Sequence, residues 1–108
     1  MLRVVAEHVD IWNYPGPPDA EFRRRDAILT SHCAAIGRDP TTITRSMQTI
    51  VRATQPDAAA ATRTTLLDMI DAGVRHIVLA AVLDRRPLEW LVDAIVEPVR
   101  AEAGASAL

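Results

Sequence analysis

The sequence of 108 residues contains one cysteine, Cys33, and no lysine. A single cysteine excludes an internal disulfide and any metal site built from several thiolates. The net charge of −2 gives no electrostatic argument for a nucleic-acid or anionic-membrane partner. No apolar run reaches the roughly 18 residues that a membrane-spanning helix requires. The N-terminus carries charges and does not resemble a signal peptide, so we expect a cytoplasmic protein.

The composition is that of an ordinary soluble protein, with 49% apolar and 24% charged residues. A chain of this length is most simply one domain, residues 1–108, and such a domain hides roughly two-thirds of its unfolded surface. Arginine is the only strongly basic residue type and alanine is abundant, a bias typical of a GC-rich bacterial genome.

The pattern of apolar residues predicts four helices that alternate with three strands. The helices are predicted at residues 2–8, 19–36, 56–73 and 84–104. The strands are predicted at residues 9–13, 43–51 and 74–82. Strands that are joined by crossover helices pair in parallel, so the sequence predicts an α/β fold of order α-β-α-β-α-β-α with three parallel strands.

Individual residues in the sequence predict where several of these helices begin or end. Gly37 and Gly73 follow helical patterns and fit the left-handed position that ends a helix. Asp84 is predicted to be the N-cap of the last helix. Residues 74–82 are nearly all apolar, which is typical of a strand that is covered on both faces.

Four segments together resemble the C-terminal part of the luciferase-like monooxygenase family, which includes flavin-dependent and deazaflavin F-420-dependent oxidoreductases. The segments are "LRVVAEHVDIWN", "HCAAIGRDPTTITRS", "AGVRHIVLAAV" and "WLVDAIVEPVRAEAG". They combine an Ala-Glu-x-x-Asp-x-Trp-Asn opening, an Ile-Gly-Arg-Asp-Pro turn and an Ala-Gly-Val-x-His-hydrophobic strand. The resemblance extends in register over nearly the whole chain.

The resemblance implies a partial TIM (β/α)₈ barrel, because the complete barrel needs about 250 residues and this chain would supply its last three strands. It implies oxidoreductase or monooxygenase activity with F-420 or FMN as the cofactor. The family's Gly-rich loop and N-terminal strands, which hold much of the cofactor, are expected outside this sequence. No catalytic residue of the family is carried over to it.

Candidate cofactor-binding residues follow the strands, where parallel barrels place their reactive groups. Trp12 and Asn13 end the first predicted strand, and they would stack on a ligand and hydrogen-bond to it. The alternative is that Trp12 fills the core and Asn13 turns the chain. Arg52, with Thr54 beside it, and Arg85, between Asp84 and Arg86, follow the other two strands. These arginines suit cofactor phosphate, or they are solvated at the entry to a helix.

Other reactive residue types receive structural interpretations. Cys33 falls on the apolar side of a predicted helix, where it acts as a small hydrophobe, and His32 lies on a different face of that helix. His76 begins a strand, at the end opposite the expected active face. No metal-ligand spacing and no acid/base pair of carboxylates is present.

A rival hypothesis is a non-catalytic remnant or a small α/β binding or oligomerisation module. Three parallel strands that do not close a barrel leave free edges, and free edges favour pairing with another chain. We therefore expect self-association through the sheet edges, besides any small-molecule cofactor or substrate.

Overall fold

A computed structural model describes residues 1–52, 57–82, 85 and 87–107 of the chain. The helices are α1 (Leu2–His8), α2 (Ala20–Ala35), α3 (Ala58–Asp71), α4 (Leu88–Leu91) and α5 (Glu97–Ala107). The strands are β1 (Ile11–Tyr14), β2 (Thr44–Arg52) and β3 (His76–Val82). A short 3₁₀ helix (Pro40–Thr42) precedes β2, and a π-helical turn (Val92–Val96) joins α4 to α5. The predicted alternation of helices and strands is confirmed.

The three strands form one parallel sheet in the order β1-β2-β3. Ile11 of β1 lies opposite Thr44, and His76 of β3 lies opposite Ser46. The parallel sheet was predicted correctly. It does not close, so that within the described part of the chain β1 and β3 are both edge strands.

The hydrophobic core lies between one face of the sheet and the helices. The centre of β2 contributes Met47 and Val51, which are fully buried. The helices contribute Val5, Phe22, Leu29, Cys33, Leu66, Met69, Ile95 and Val99. Burial of a side chain of this size stabilises the fold by about 1.5–3 kcal/mol relative to exposure.

Helix ends follow the local chemistry of the chain. The Asp19 carboxylate accepts a hydrogen bond from the Phe22 N–H at 3.0 Å and so caps α2. Gly37 and Gly73 adopt φ values of 73° and 103°, which confirms both as left-handed helix terminators. The predicted N-cap Asp84 lies outside the described residues.

The coverage of β3 and the end of α2 differ from what the sequence pattern favours. The strand β3 is not covered on both faces, since His76, Val78 and Ala80 are exposed. An apolar run shows that a segment can be buried, but it does not show how many neighbours the fold supplies. Ile36 follows Leu29 and Cys33 at helical spacing, yet it is 51% exposed because it is the C-cap residue and has left the helical phase.

The last helix also departs from the expected pattern. The helix α5 continues to Ala107 and does not end at Gly104, whose φ is not in the left-handed range. Leu88, Leu91, Ile95 and Val99 recur at helical spacing in the sequence. Leu88 is nonetheless exposed in the first turn of α4, whereas the other three are buried.

Candidate functional site

One face of the sheet is not covered by helices, and we call it the open face. Side chains alternate between the two faces along each strand, and the register aligns them across the sheet. The residues of the open face are Ile11, Asn13, Thr44, Ser46, Gln48, Ile50, Arg52, His76, Val78, Ala80 and Val82. Any surface site formed by the sheet itself must use these side chains.

A row of three hydrogen-bonded polar side chains crosses the open face. The Asn13 Nδ2 donates to Ser46 Oγ at 3.1 Å, and Ser46 Oγ lies 2.8 Å from His76 Nδ1. The Ser46 hydroxyl can donate to His76 Nδ1 or accept from it, according to which ring nitrogen of His76 carries the proton. Ser46 is only 2% exposed, so the row satisfies its polar group within the sheet.

Trp12 lies on the face of the sheet that the helices cover. Its side chain is 9% exposed and stacks on Phe22, with ring centroids 5.7 Å apart and an interplanar angle of 11°. Tyr14 packs against the same Phe22 ring at 5.4 Å. This aromatic cluster buries the indole, so little of Trp12 is accessible to a ligand.

The register separates Asn13 from the candidate arginines. Asn13 lies opposite Ser46, whereas Arg52 is six residues further along β2, about 20 Å away at 3.3 Å per residue. The strand β1 stops at Tyr14, level with Met47, and β2 continues past it. Asn13 therefore lies level with His76, at the end of the sheet opposite the expected active face.

Arg52 is the last residue of β2, and Arg85 follows the carboxyl end of β3. Arg52 is opposite Val82, the last residue of β3, and Arg85 follows that residue in the chain. Both arginines are exposed. The other polar residues predicted near this edge, Thr54, Asp84 and Arg86, lie outside the described residues.

A cavity of about 530 Å³ lies beside the carboxyl-terminal half of β2, and we call it the upper cavity. It exists because β1 ends early and leaves that half of β2 without a neighbour on one side. Gln48, Ile50 and Val78 line it from the sheet, and Thr65 and Met69 line it from α3. The loop after β1 closes it through Gly16, whose φ of 88° is in the left-handed range. The volume is within the range of small-molecule sites.

Sequence reasoning did not identify Ser46 as a site residue. Its two partners are 33 and 30 residues away along the chain, and only the register brings them together. The available signal was the strand alternation, which puts a serine on the face opposite Met47 in the middle of a strand. That signal shows where the side chain lies but not what it contacts.

The Arg23–Arg25 segment is neutralised on the surface of α2. Arg24 and Arg25 contact the Glu21 carboxylate at 2.7 and 2.8 Å. These hydrogen bonds, that of Arg24 first, lower the pKa of Glu21 from 4.5 to about 2. All three arginines of this segment are exposed to solvent.

The remaining candidates for reactive chemistry are structural. Cys33 is fully buried in the core, as predicted for a small hydrophobe.

In the residues that the structure describes, no three histidine, cysteine, aspartate or glutamate side chains are grouped so that they could hold a metal ion. None of the helices in that part of the chain combines the length and apolarity needed to cross a bilayer.

No family model, curated protein or solved structure matches this chain. The resemblance to the luciferase-like family therefore stays a prediction from the sequence. The functional argument depends on the open face, the upper cavity and the arginines beyond it.

Proposed function

We propose that this chain is the C-terminal part of a luciferase-like barrel that binds F-420 or FMN and takes part in an oxidoreductase or monooxygenase reaction. The observation that carries the proposal is the position of the upper cavity, beside the carboxyl-terminal half of a parallel sheet. Parallel α/β folds bind their ligands at that end of the strands. The sequence resemblance supports the same cofactor class.

The residues around the upper cavity fit the cofactor in their chemistry. Ile50 and Val78 offer apolar contact to a planar ring, and the Gln48 amide and Thr65 hydroxyl offer hydrogen bonds to its polar edge. Arg52 offers a guanidinium that can hold a phosphate through two parallel hydrogen bonds. Trp12 and Asn13 are not assigned to this site, because one is buried under α2 and the other lies about 20 Å from Arg52.

When bound, the reduced cofactor supplies the hydride that such reactions transfer. The residues of this chain would bind the cofactor, orient its ring against the open face and exclude water from it. No residue of this chain is proposed to donate or remove a proton in the reaction.

Fluorescence titration of the purified chain with F-420 and with FMN tests the proposal. We expect dissociation constants in the micromolar range for at least one cofactor. Arg52→Gln should weaken binding about tenfold, because a charge-assisted hydrogen bond to phosphate is lost. Arg3→Gln, which removes an exposed arginine of α1, is the matched control and should leave binding unchanged. No binding at millimolar cofactor would rule the proposal out.

A second candidate function is a small α/β module that works by association with a second chain. The solvent-accessible surface area of the chain supports this second candidate. The chain exposes 6884 Å², whereas a typical folded monomer of 11.8 kDa exposes about 5,900 Å². The sequence predicts that association uses the free sheet edges, and β1 and β3 each have β2 as their neighbour on one side alone. Sedimentation velocity over a range of concentrations tests it, and a monomer throughout would exclude it.

A further inference from the structure

The exposed apolar side chains of this protein are concentrated on the open face. Nine large apolar side chains are exposed among the described residues, and four of them, Ile11, Ile50, Val78 and Val82, lie there. The other five are distributed over three helices and the chain start: Met1, Val4, Ile36, Leu88 and Val92. The register makes Ile50, Val78, Ala80 and Val82 one contiguous apolar patch towards the carboxyl end of the sheet, whereas Ile11 lies apart from it, level with Thr44. A contiguous apolar patch is typical of an interaction surface.

The chain's additional solvent-accessible surface is similar in area to what one partner buries in a stable complex. The chain exposes about 1,000 Å² more than a compact monomer of its mass, and a standard interface buries about 800 Å² on each partner. The free edges of β1 and β3 are four and seven residues long, and pairing at such an edge joins backbone groups and covers little side-chain surface.

The polar groups of the open face do not oppose its burial. Ser46, at the centre of the face, already has hydrogen-bond partners on both sides. Asn13 and His76 lie level with Ser46, towards the amino-terminal end of the sheet and away from Ile50, Val78 and Val82, so they would be at the rim of a contact, where polar groups remain solvated. The face has no carboxylate, and Arg52 is its one permanent charge, at the end of β2.

We infer that the open face binds the open face of a second copy of this chain, with the two sheets packed about 10 Å apart. The occupant is a second copy because the patch is apolar and lacks fixed charge at its centre, so that two identical faces meet without like-charge repulsion. This inference rests on the second candidate function and does not depend on cofactor binding. It replaces edge pairing by face packing as the mode of association.

Sedimentation velocity and sedimentation equilibrium on the full chain, with single substitutions, test the inference. Ile11→Arg and Val82→Arg each place a charge on the open face, at side chains that are 54% and 49% exposed. Each should raise the dimer dissociation constant about tenfold or more, since the charge would be desolvated on association. Ile36→Arg, at a side chain 51% exposed on α2's C-terminal end, is the matched control and should leave the constant unchanged.

Circular dichroism of each variant shows that the fold is retained, which is expected because the substituted side chains are already half exposed. Hydrogen exchange separates the two modes of association. Face packing leaves the outward amides of β3 unprotected at every concentration, whereas protection that grows with concentration shows edge pairing and overturns the inference. A wild-type monomer at all concentrations, or dissociation constants unaffected by both open-face arginines, overturns it too. Gln48, Ile50 and Val78 belong both to the open face and to the upper cavity, so face packing and cofactor binding compete for the same surface. The cofactor titration and the sedimentation experiment are separate measurements, so failure of one proposal does not imply failure of the other.

Discussion

Arg45 joins three segments of the chain through one guanidinium. Its Nε lies 2.7 Å from the Asp26 carboxylate of α2, and its Nη1 donates to the carbonyl oxygens of Pro40 and Ile43. The side chain is largely buried, so these bonds are shielded from water. It therefore fixes α2, the 3₁₀ helix and the start of β2 relative to one another.

Replacing Arg45 by methionine should destabilise the fold by about 3 kcal/mol, because Asp26 and two carbonyl groups lose their partner in a partly buried site. The free energy of unfolding in urea measures the effect. Arg24→Met is the control, since Arg24 is also paired with a carboxylate but is exposed on α2. If Arg45→Met lowered the free energy of unfolding no more than Arg24→Met does, Arg45 would not hold these segments together.

Glu21 gives the fold a dependence on acidic pH. Its pKa is lowered from 4.5 to about 2 by hydrogen bonds from Arg24 and Arg25, so its ion pairs stabilise the folded state above pH 4.5. That contribution declines as the pH falls from about 4.5 to about 2. NMR titration of the Glu21 carboxyl measures the pKa directly. Arg24→Gln should raise it, and an unchanged value in that variant would contradict the assignment.

At the scale of elements, the caps of two helices provide an internal comparison. Asp19 accepts a hydrogen bond at the start of α2, whereas Asp57, in the same position before α3, makes no side-chain cap bond. Asp19→Ala should therefore cost about 1 kcal/mol of stability, and Asp57→Ala should cost distinctly less. Thermal unfolding of both variants makes the comparison. Equal losses of stability in the two variants would show that the Asp19 hydrogen bond adds nothing beyond the effect of a negative charge at the start of a helix.

The elements themselves could be predicted from local sequence, and their surroundings could not. Apolar periodicity and the glycines at 37 and 73 indicated the helices, the strands and two helix ends. The register depends on contacts between residues about thirty positions apart, which local sequence patterns do not report. Asn13 was therefore expected near Arg52, whereas in the structure it pairs with Ser46. The apolar run of β3 gave no information on how many of its faces the fold would cover.

The whole molecule is more extended than a compact domain of its length. Its radius of gyration is 15.6 Å, compared with about 13 Å for a compact domain of 108 residues. Its extents are 49 × 29 × 22 Å, and the open face contributes surface that a closed barrel or a second sheet would cover. The sequence indicated free sheet edges, because three parallel strands do not close a barrel, but it predicted β3 to be covered on both faces. It did not indicate which surface remains exposed, since that depends on the packing of every helix.

The central position of β2 has a consequence for how the sheet opens. Both ladders of the sheet contain β2, so neither outer strand has another strand to hold its backbone amides. Once β2 detaches, the interstrand protection of β1 and β3 against deuterium uptake is lost in the same event. The amides of the two outer strands that bond to β2 therefore cannot exchange more slowly than the opening of β2 itself, and the three strands behave as one cooperative unit.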